Sequence, residues 1–378
     1  MIRSVAPGSD AERAGIAPGD VLRSLDRNPA TDIAEVRTIL RALRAGDPLL
    51  LELSRGEHAL ELELEITEYP LERYATARTE LGQVRSGDVW LRTIAVVPDT
   101  RPPHPAVVYL PGAHWASEEY PLDAENPVPA LARALSSAGV AMLRIERSGV
   151  GDSQGPACTR VDFETELAGY RAGLEQLLGS DWAVAERVFL FGHSLGAMVA
   201  PLLAESAHVA GIVTFGASAM PISEGLVGAL IRHAARQPDR EAAERRARHV
   251  CELVRLVCAG QTPAEVFAQR PELASSAPAH FSADQAYQRV ARFYHQLENA
   301  DLRGAWSRAN CDVLAIHGSD DWITTLDDSR AIAAAAGKRA ETLELDGIDH
   351  QLSPAGSVRP KLAPELATAI VAWIRSRL

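Results

Sequence analysis

The chain has 378 residues, enough for one large domain or two to three of ordinary size. Hydrophobic residues make up 47% of it and charged residues 23%, which excludes a disordered chain, a collagen-like fibre and a disulfide-packed miniprotein. The formal net charge of −12 gives an anionic surface field, the wrong sign for a general binder of phosphate backbones, so no nucleic-acid partner is expected.

No run of about 18 apolar residues occurs, so no membrane span is expected. The first residues lack the basic-then-apolar layout of a secretion signal. Only Lys338 and Lys361 are lysines, and the remaining basic residues are arginine, a bias read as compositional. Cys158, Cys251, Cys258 and Cys311 form no CxxC pair and no Cys/His metal spacing. Buried reduced thiols in a cytoplasmic protein are the expectation.

Residues 1–66 come first in chain order. Ile33 to Leu43 carries a helical stripe at Ile33, Val36, Ile39, Leu40 and Leu43. Leu49 to Leu53 reads as a strand. Ala59 to Ile66 alternates strictly between apolar and polar, the period of a half-exposed strand, with a tight hairpin at Arg55-Gly56-Glu57. Upstream lie Ser9, Ala11, Ala14-Gly15-Ile16, Gly19-Asp20-Val21-Leu22 and Asn28-Pro29. Gly15 and Gly19 suit turns with positive φ, and Asp20 can accept from nearby backbone amides. In this order and spacing these residues resemble a PDZ domain. The resemblance implies a module that adds a peptide C-terminus to a sheet edge, hence a peptide or protein partner. The loop that cradles the peptide carboxylate would lie upstream of Val5, so the module is expected to be incomplete at its N-terminus; a docking role without ligand is the alternative.

Residues 67–104 are expected to hold a linker and leading strands, among them Trp90 to Val97. From 105 to 378, apolar strands at Ala106–Leu110, Val140–Ile145, Arg187–Phe191, Gly211–Phe215, Val313–Ile316 and Thr342–Leu345 alternate with helical patterns. This alternation predicts an α/β fold, a mostly parallel sheet with helices on both faces. Residues 221–306 carry almost no strand signal and read as a helical cap insert. Its charged run, Arg232 to His249, reads as a solvated helix face.

Gly192-His193-Ser194-Leu195-Gly196 follows an apolar strand and opens a helix, the context that a G-x-S-x-G nucleophile turn requires. The glycines relieve collisions at so sharp a turn and leave the Ser194 hydroxyl exposed. A serine needs a base to take its proton and a carboxylate to orient that base. Asp321 follows the strand ending near Ile316, with Asp320 as competitor, and His350 follows the strand Thr342–Leu345. The chain order Ser194, Asp321, His350 puts each group just after a separate strand.

From about residue 80 onward, these motifs resemble the α/β-hydrolase family, in its bacterial esterase and serine-aminopeptidase-like branch. The family's Gly-x-x-Asp pattern maps the acid onto Asp321. Glu146-Arg147-Ser148-Gly149-Val150-Gly151-Asp152-Ser153 matches an Asp-x-x-Gly-x-Gly-x-Ser pattern, with Glu in the first place. The resemblance implies an oxyanion hole from the amides of Leu195 and Ala113, the latter in Leu110-Pro111-Gly112-Ala113-His114-Trp115, where Pro111 replaces a usual His. Trp115 and His193 are assigned to the substrate pocket, with ordinary packing as the competing role for each. His104 and His114 have no carboxylates at metal spacing, so no metal is expected; Gly149 to Gly155 departs from a dinucleotide fingerprint, so no cofactor is expected either.

The function expected is a serine hydrolase that cleaves a carboxylic ester, or related acyl bond of a small molecule or peptide, through an acyl-enzyme. The alternatives are an acyltransferase or aminopeptidase-like peptidase using the same triad, and a non-catalytic scaffold carrying the PDZ-like module.

Overall fold

The computed structural model describes residues 1–378, apart from the side chains of residues 33, 34, 37 and 41. The chain divides into two compact units, Met1–Arg73 with Tyr120–Ala124, and Tyr74–Glu119 with Glu125–Leu378.

The smaller unit contains α1 (Asp10–Arg13), β1 (Val21–Leu25), β2 (Asn28–Pro29), α2 (Ile33–Ala42), β3 (Pro48–Arg55) and β4 (His58–Glu65). Its strands form an antiparallel sheet in the order β2-β1-β3-β4. β3 and β4 pair from Pro48↔Glu65 to Arg55↔His58 around the two-residue turn Gly56-Glu57. Leu49, Leu51 and Leu53 are buried on one face of β3, while Leu60, Leu62 and Leu64 of β4 pack against them and the intervening glutamates face water. Of the helical stripe, Val36 is in this core with Ile39 and Leu43 beside it; Leu40 is 45% exposed and Ile33 lies outside the described side chains. Asp20 accepts from the Ala17 amide at 2.8 Å and takes both prongs of Arg55, at 2.8 and 2.9 Å. Those bonds hold its carboxyl down at about 2.

The larger unit is built on eight strands: β5 (Ala77–Ser86), β6 (Val89–Pro98), β7 (His104–Leu110), β8 (Ala141–Ile145), β9 (Ala183–His193), β10 (Gly211–Phe215), then β13 (Asp312–Gly318) and β14 (Ala340–Leu345), with a minor hairpin of β11 (Gln285–Ala286) and β12 (Arg289–Val290) between the last two pairs in sequence. The order across the sheet is β14-β13-β10-β9-β7-β8-β6-β5. β8 through β14 in that order run parallel, and β5 and β6 form an antiparallel margin. The central strands β7, β8 and β10, and β9 from Val188 to Gly192, are almost wholly buried because helices cover both faces.

α3 (Pro127–Ser137), α4 (Phe163–Leu178) and α5 (Leu195–Ala204) connect the first strands. Between β10 and β13 lie α6 (Ile222–Ala235), α7 (Arg240–Cys258), α8 (Pro263–Gln269), α9 (Pro271–Ala274), the β11–β12 hairpin, α10 (Ala291–Glu298) and α11 (Leu302–Arg308). α12 (Leu326–Ala336) and α13 (Pro364–Arg375) complete the unit. α11 packs on α5 and α12, so the end of the inserted segment belongs to the body of the unit. The charged run Arg232 to His249 spans the end of α6 and the start of α7 with its charged side chains exposed or half-exposed, and beyond it α7 turns Val250, Cys251, Leu253, Val254 and Val257 inward.

Some elements carry no pattern in the sequence. β5 is a polar edge strand whose side chains are buried only near its ends, so it lacks an apolar period. The β11–β12 hairpin has two residues per strand, too short to make any pattern. The four cysteines are buried free thiols. Among the described residues, no helix is long and apolar enough to cross a membrane.

Phe189 sits at the middle of β9, fully buried, with its ring edge-on to Trp373 of α13 at 6.2 Å between centroids. Phe189→Ala removes a ring that nothing nearby can replace, and should cost about 3–5 kcal/mol in urea unfolding of this unit. A loss below about 1 kcal/mol would mean that the sheet and α13 close over the gap.

Candidate active site

The turn from β9 into α5 is sharp, with Ser194 at its apex. Ser194 has φ 53° and ψ −117°, a conformation that L-residues seldom adopt, and its amide donates to the Phe215 carbonyl of β10 at 2.9 Å. The flanking glycines are needed for space. A Cβ on Gly192 would come within 2.5 Å of the Ala197 Cα, and one on Gly196 would overlap the Leu110 carbonyl of β7. Strand and helix can therefore close up only if both positions lack side chains.

β13 and β14 end at the same rim of the sheet. Past β13, Asp321 is buried; past β14, so is His350. His350 Nδ1 lies 2.8 Å from Asp321 Oδ2, and its Nε2 lies 3.0 Å from Ser194 Oγ. An ionised carboxylate only accepts, so Nδ1 carries the proton and Nε2 is left to accept from the Ser194 hydroxyl. Asp321 is further held by the amides of Ile323 and Thr324 at 2.8 and 3.1 Å and by the Thr324 hydroxyl at 2.7 Å. Burial alone would raise its carboxyl. The hydrogen bonds from His350 and Thr324 outweigh that and keep it below the ordinary carboxylate range. Its neighbour Asp320 is exposed and does not reach the imidazole.

The Leu195 amide opens α5 and has no preceding turn to receive it, while Ala113 lies across the same cavity. That cavity has a volume of about 550 Å³ and is walled largely by apolar groups, including Trp115, Met198, Leu226, Phe293 and Ile323. Trp115, one of the two side chains expected in a pocket, thus lines it. His193, the other, is not among the lining residues. Its Nε2–H donates instead to the His350 backbone carbonyl at 2.8 Å. Burial, then the neighbouring His350, push the His193 imidazole down to about 3, so it stays a neutral donor that braces the backbone of His350.

Several contributors carried no sequence signal that was used. Gly216, after β10, has φ +63°, and a Cβ there would sit 2.9 Å from His350 Nδ1 and Cε1 and 3.1 Å from Asp321 Oδ2. The bond from Thr324 depends on a turn that only the fold defines. His114, weighed in the sequence only as a metal ligand, donates through Nε2 to Glu118 at 2.9 Å; the spacing of four was the available clue.

Comparison with known proteins bears on what this arrangement is. Residues 107–361 match the model of the Alpha/beta hydrolase family, and residues 1–55 match that of the PDZ domain. A 62-residue stretch is 39% identical to a putative serine protease, HhoA, of Synechocystis sp.; the match spans 16% of this chain and 16% of that protein. Among solved structures, hypothetical protein PA2218 of Pseudomonas aeruginosa is 15% identical with a TM-score of 0.55, over 82% of this chain and 96% of that one. An alpha/beta hydrolase, GrgF, of Penicillium sp. is 15% identical with a TM-score of 0.54, over 79% and 99%. Est1E of Butyrivibrio proteoclasticus, solved with ferulic acid bound, is 13% identical with a TM-score of 0.52, over 78% and 96%. At these identities the structures speak for the fold alone.

Gly216→Ala tests the contact that brings acid and base together. The added methyl should displace His350 and cut the rate at which a fluorophosphonate labels Ser194 at least about tenfold, with the far-UV spectrum kept. Labelling at the unaltered rate would show that the imidazole can give way without leaving its hydrogen bonds.

Proposed function

We propose, for a chain that belongs to the alpha/beta hydrolase family, a serine hydrolase that cleaves carboxylic esters through an acyl-enzyme. The observation that carries this reading is the continuous run of hydrogen bonds from Asp321 through His350 to Ser194, ending at the floor of an apolar cavity.

In the proposed reaction the ester carbonyl sits above Ser194. The hydroxyl gives its proton to His350 Nε2 as its oxygen forms the new bond to carbon, and the carbonyl π pair moves onto oxygen. The amides of Ala113 and Leu195 donate to that oxyanion. Asp321 keeps the imidazole oriented and offsets the positive charge it acquires. When the oxyanion collapses, the C–O bond to the alcohol breaks and His350 protonates the leaving oxygen. A water molecule then repeats the sequence on the acyl-enzyme, giving up a proton to His350 and releasing the acid. The mostly apolar wall suits an uncharged acyl or alkyl portion next to the scissile bond. For the PDZ domain at residues 1–55, recruitment of a peptide or protein partner is the proposed role.

The test is steady-state hydrolysis of short and medium-chain p-nitrophenyl esters by the full chain. Ser194→Ala and His350→Ala should each lower kcat at least about a thousandfold, and the double variant should be no worse than either alone, because the groups act as one unit. Turnover that survives in Ser194→Ala would overturn the assignment.

A further inference from the structure

One buried set of charges plays no part in the steps above. Arg147 follows Glu146 just beyond β8, Glu166 lies in the first turn of α4, and Arg289 begins β12 in the cap hairpin; none is as much as a tenth exposed. Arg147 Nη2 donates to the Gly112 carbonyl at 2.7 Å and to the Pro111 carbonyl at 3.3 Å. Its Nε donates to Glu166 Oε1 at 2.9 Å, and its Nη1 is 3.4 Å from Glu118 Oε1. The other oxygen of Glu166 receives Arg289 Nη1 at 2.6 Å. Arg289 also donates to the Cys158 carbonyl at 2.7 Å, lies 4.8 Å from the Phe293 ring centre, and faces the active-site cavity.

What Arg147 holds is the loop Pro111-Gly112-Ala113. β7 has ended at Leu110, so no sheet ladder fixes the peptide planes that follow. The peptide between Gly112 and Ala113 is trans, and in a planar trans peptide the C=O and the N–H point in opposite directions. Drawing the Gly112 oxygen toward Arg147 therefore turns the Ala113 N–H to the side opposite Arg147, and Ala113 itself lines the cavity together with Ser194. A guanidinium grips two successive carbonyls and a carboxylate at once because its donors are spread over a rigid planar fork, whereas the three donors of an ammonium radiate from a single nitrogen and do not match that spacing. Glu166 in turn separates two buried cations that would otherwise repel each other in a medium of low dielectric.

We propose that Arg147 is the positioning residue for the oxyanion donor at Ala113, and that Glu166 and Arg289 lock it in place, so that the cap hairpin and the oxyanion hole behave as one electrostatic unit. This rests on the serine hydrolase reading. It also accounts for how the loop is held where Pro111 stands in place of the usual histidine. A substrate that presses on Arg289 from the cavity would be felt at the Ala113 amide through two ion pairs.

The experiment compares an aryl ester with its thiono analogue, C=S in place of C=O, on the full chain. Sulfur is the poorer hydrogen-bond acceptor, so the transition state of the thionoester draws less on the oxyanion donors, and the oxo-to-thiono rate ratio reports on their alignment. Arg147→Lys and Glu166→Gln should each lower kcat on the oxoester at least about tenfold with KM within threefold, and shrink the ratio by a similar factor. Arg289→Met should do the same, Arg289→Lys should recover part of the loss, and Glu166→Gln combined with Arg289→Met should lose no more than Glu166→Gln alone. Should Glu166→Gln fail to fold, Arg147→Lys keeps the buried charge balance and carries the test. Folded variants that slow both esters equally, or an undiminished ratio in Arg147→Lys, would overturn the proposal. A wild-type chain that neither hydrolyses the oxoester nor takes up a fluorophosphonate would remove the serine hydrolase reading itself, and this inference with it.

Discussion

The backbone of Ser194 is held in a conformation that a free chain would abandon, and the site depends on what keeps it there. Its amide is tied to the Phe215 carbonyl of the next strand, and the two neighbouring glycines let α5 pack directly onto β9 and β7. That packing presents the hydroxyl at the rim and points the start of α5 at the same spot, so that the Leu195 amide is free on the side where negative charge would develop. Strain at one residue is thus supported by a sheet whose central strands are buried on both faces.

The rim supplies the remaining groups from different strands. Asp321 follows β13, which pairs with β10, and His350 follows β14 on the far side of β13; Gly216, close to both side chains, leaves room for the imidazole to meet the carboxylate. Around this relay the structure invests in orientation. Asp321 has three donors besides His350, and the neutral ring of His193 fastens the His350 backbone. Arg147 likewise holds the Gly112 carbonyl, one peptide before Ala113. Such outer contacts fix where each reacting group points, which in a low-dielectric site matters as much as which group it is.

Legibility in the sequence followed the range of the interactions. The inner strands β7, β8, β10 and β13 could be read because burial on both faces makes them continuous apolar runs, and the β3–β4 hairpin because a half-exposed sheet alternates. β5 could not, since an edge strand of mostly polar residues has neither signature. The turn at Ser194 was legible because its steric demands are local, and the placement of Asp321 and His350 because each follows a readable strand. The choice between Asp321 and Asp320 depends on a turn at which only one side chain faces inward, which no spacing encodes. Arg147, Glu166 and Arg289 meet across separations of 19 and 123 residues, and each alone looks like any other charge; their burial, visible only in the fold, sets them apart. His193 shows the converse limit: its position beside the nucleophile suggests the pocket, while its ring turns to the backbone of His350.

The central claim is that the Ser194 oxygen becomes covalently joined to the acyl group during turnover. Quenching the reaction in acid at steady state with an ester whose acyl-enzyme hydrolyses slowly, and measuring the intact mass and the proteolytic fragments, tests this most directly. The account predicts a mass gain equal to the acyl group, confined to the fragment that contains Ser194. Turnover with no such gain, or a gain located on another residue, would contradict it.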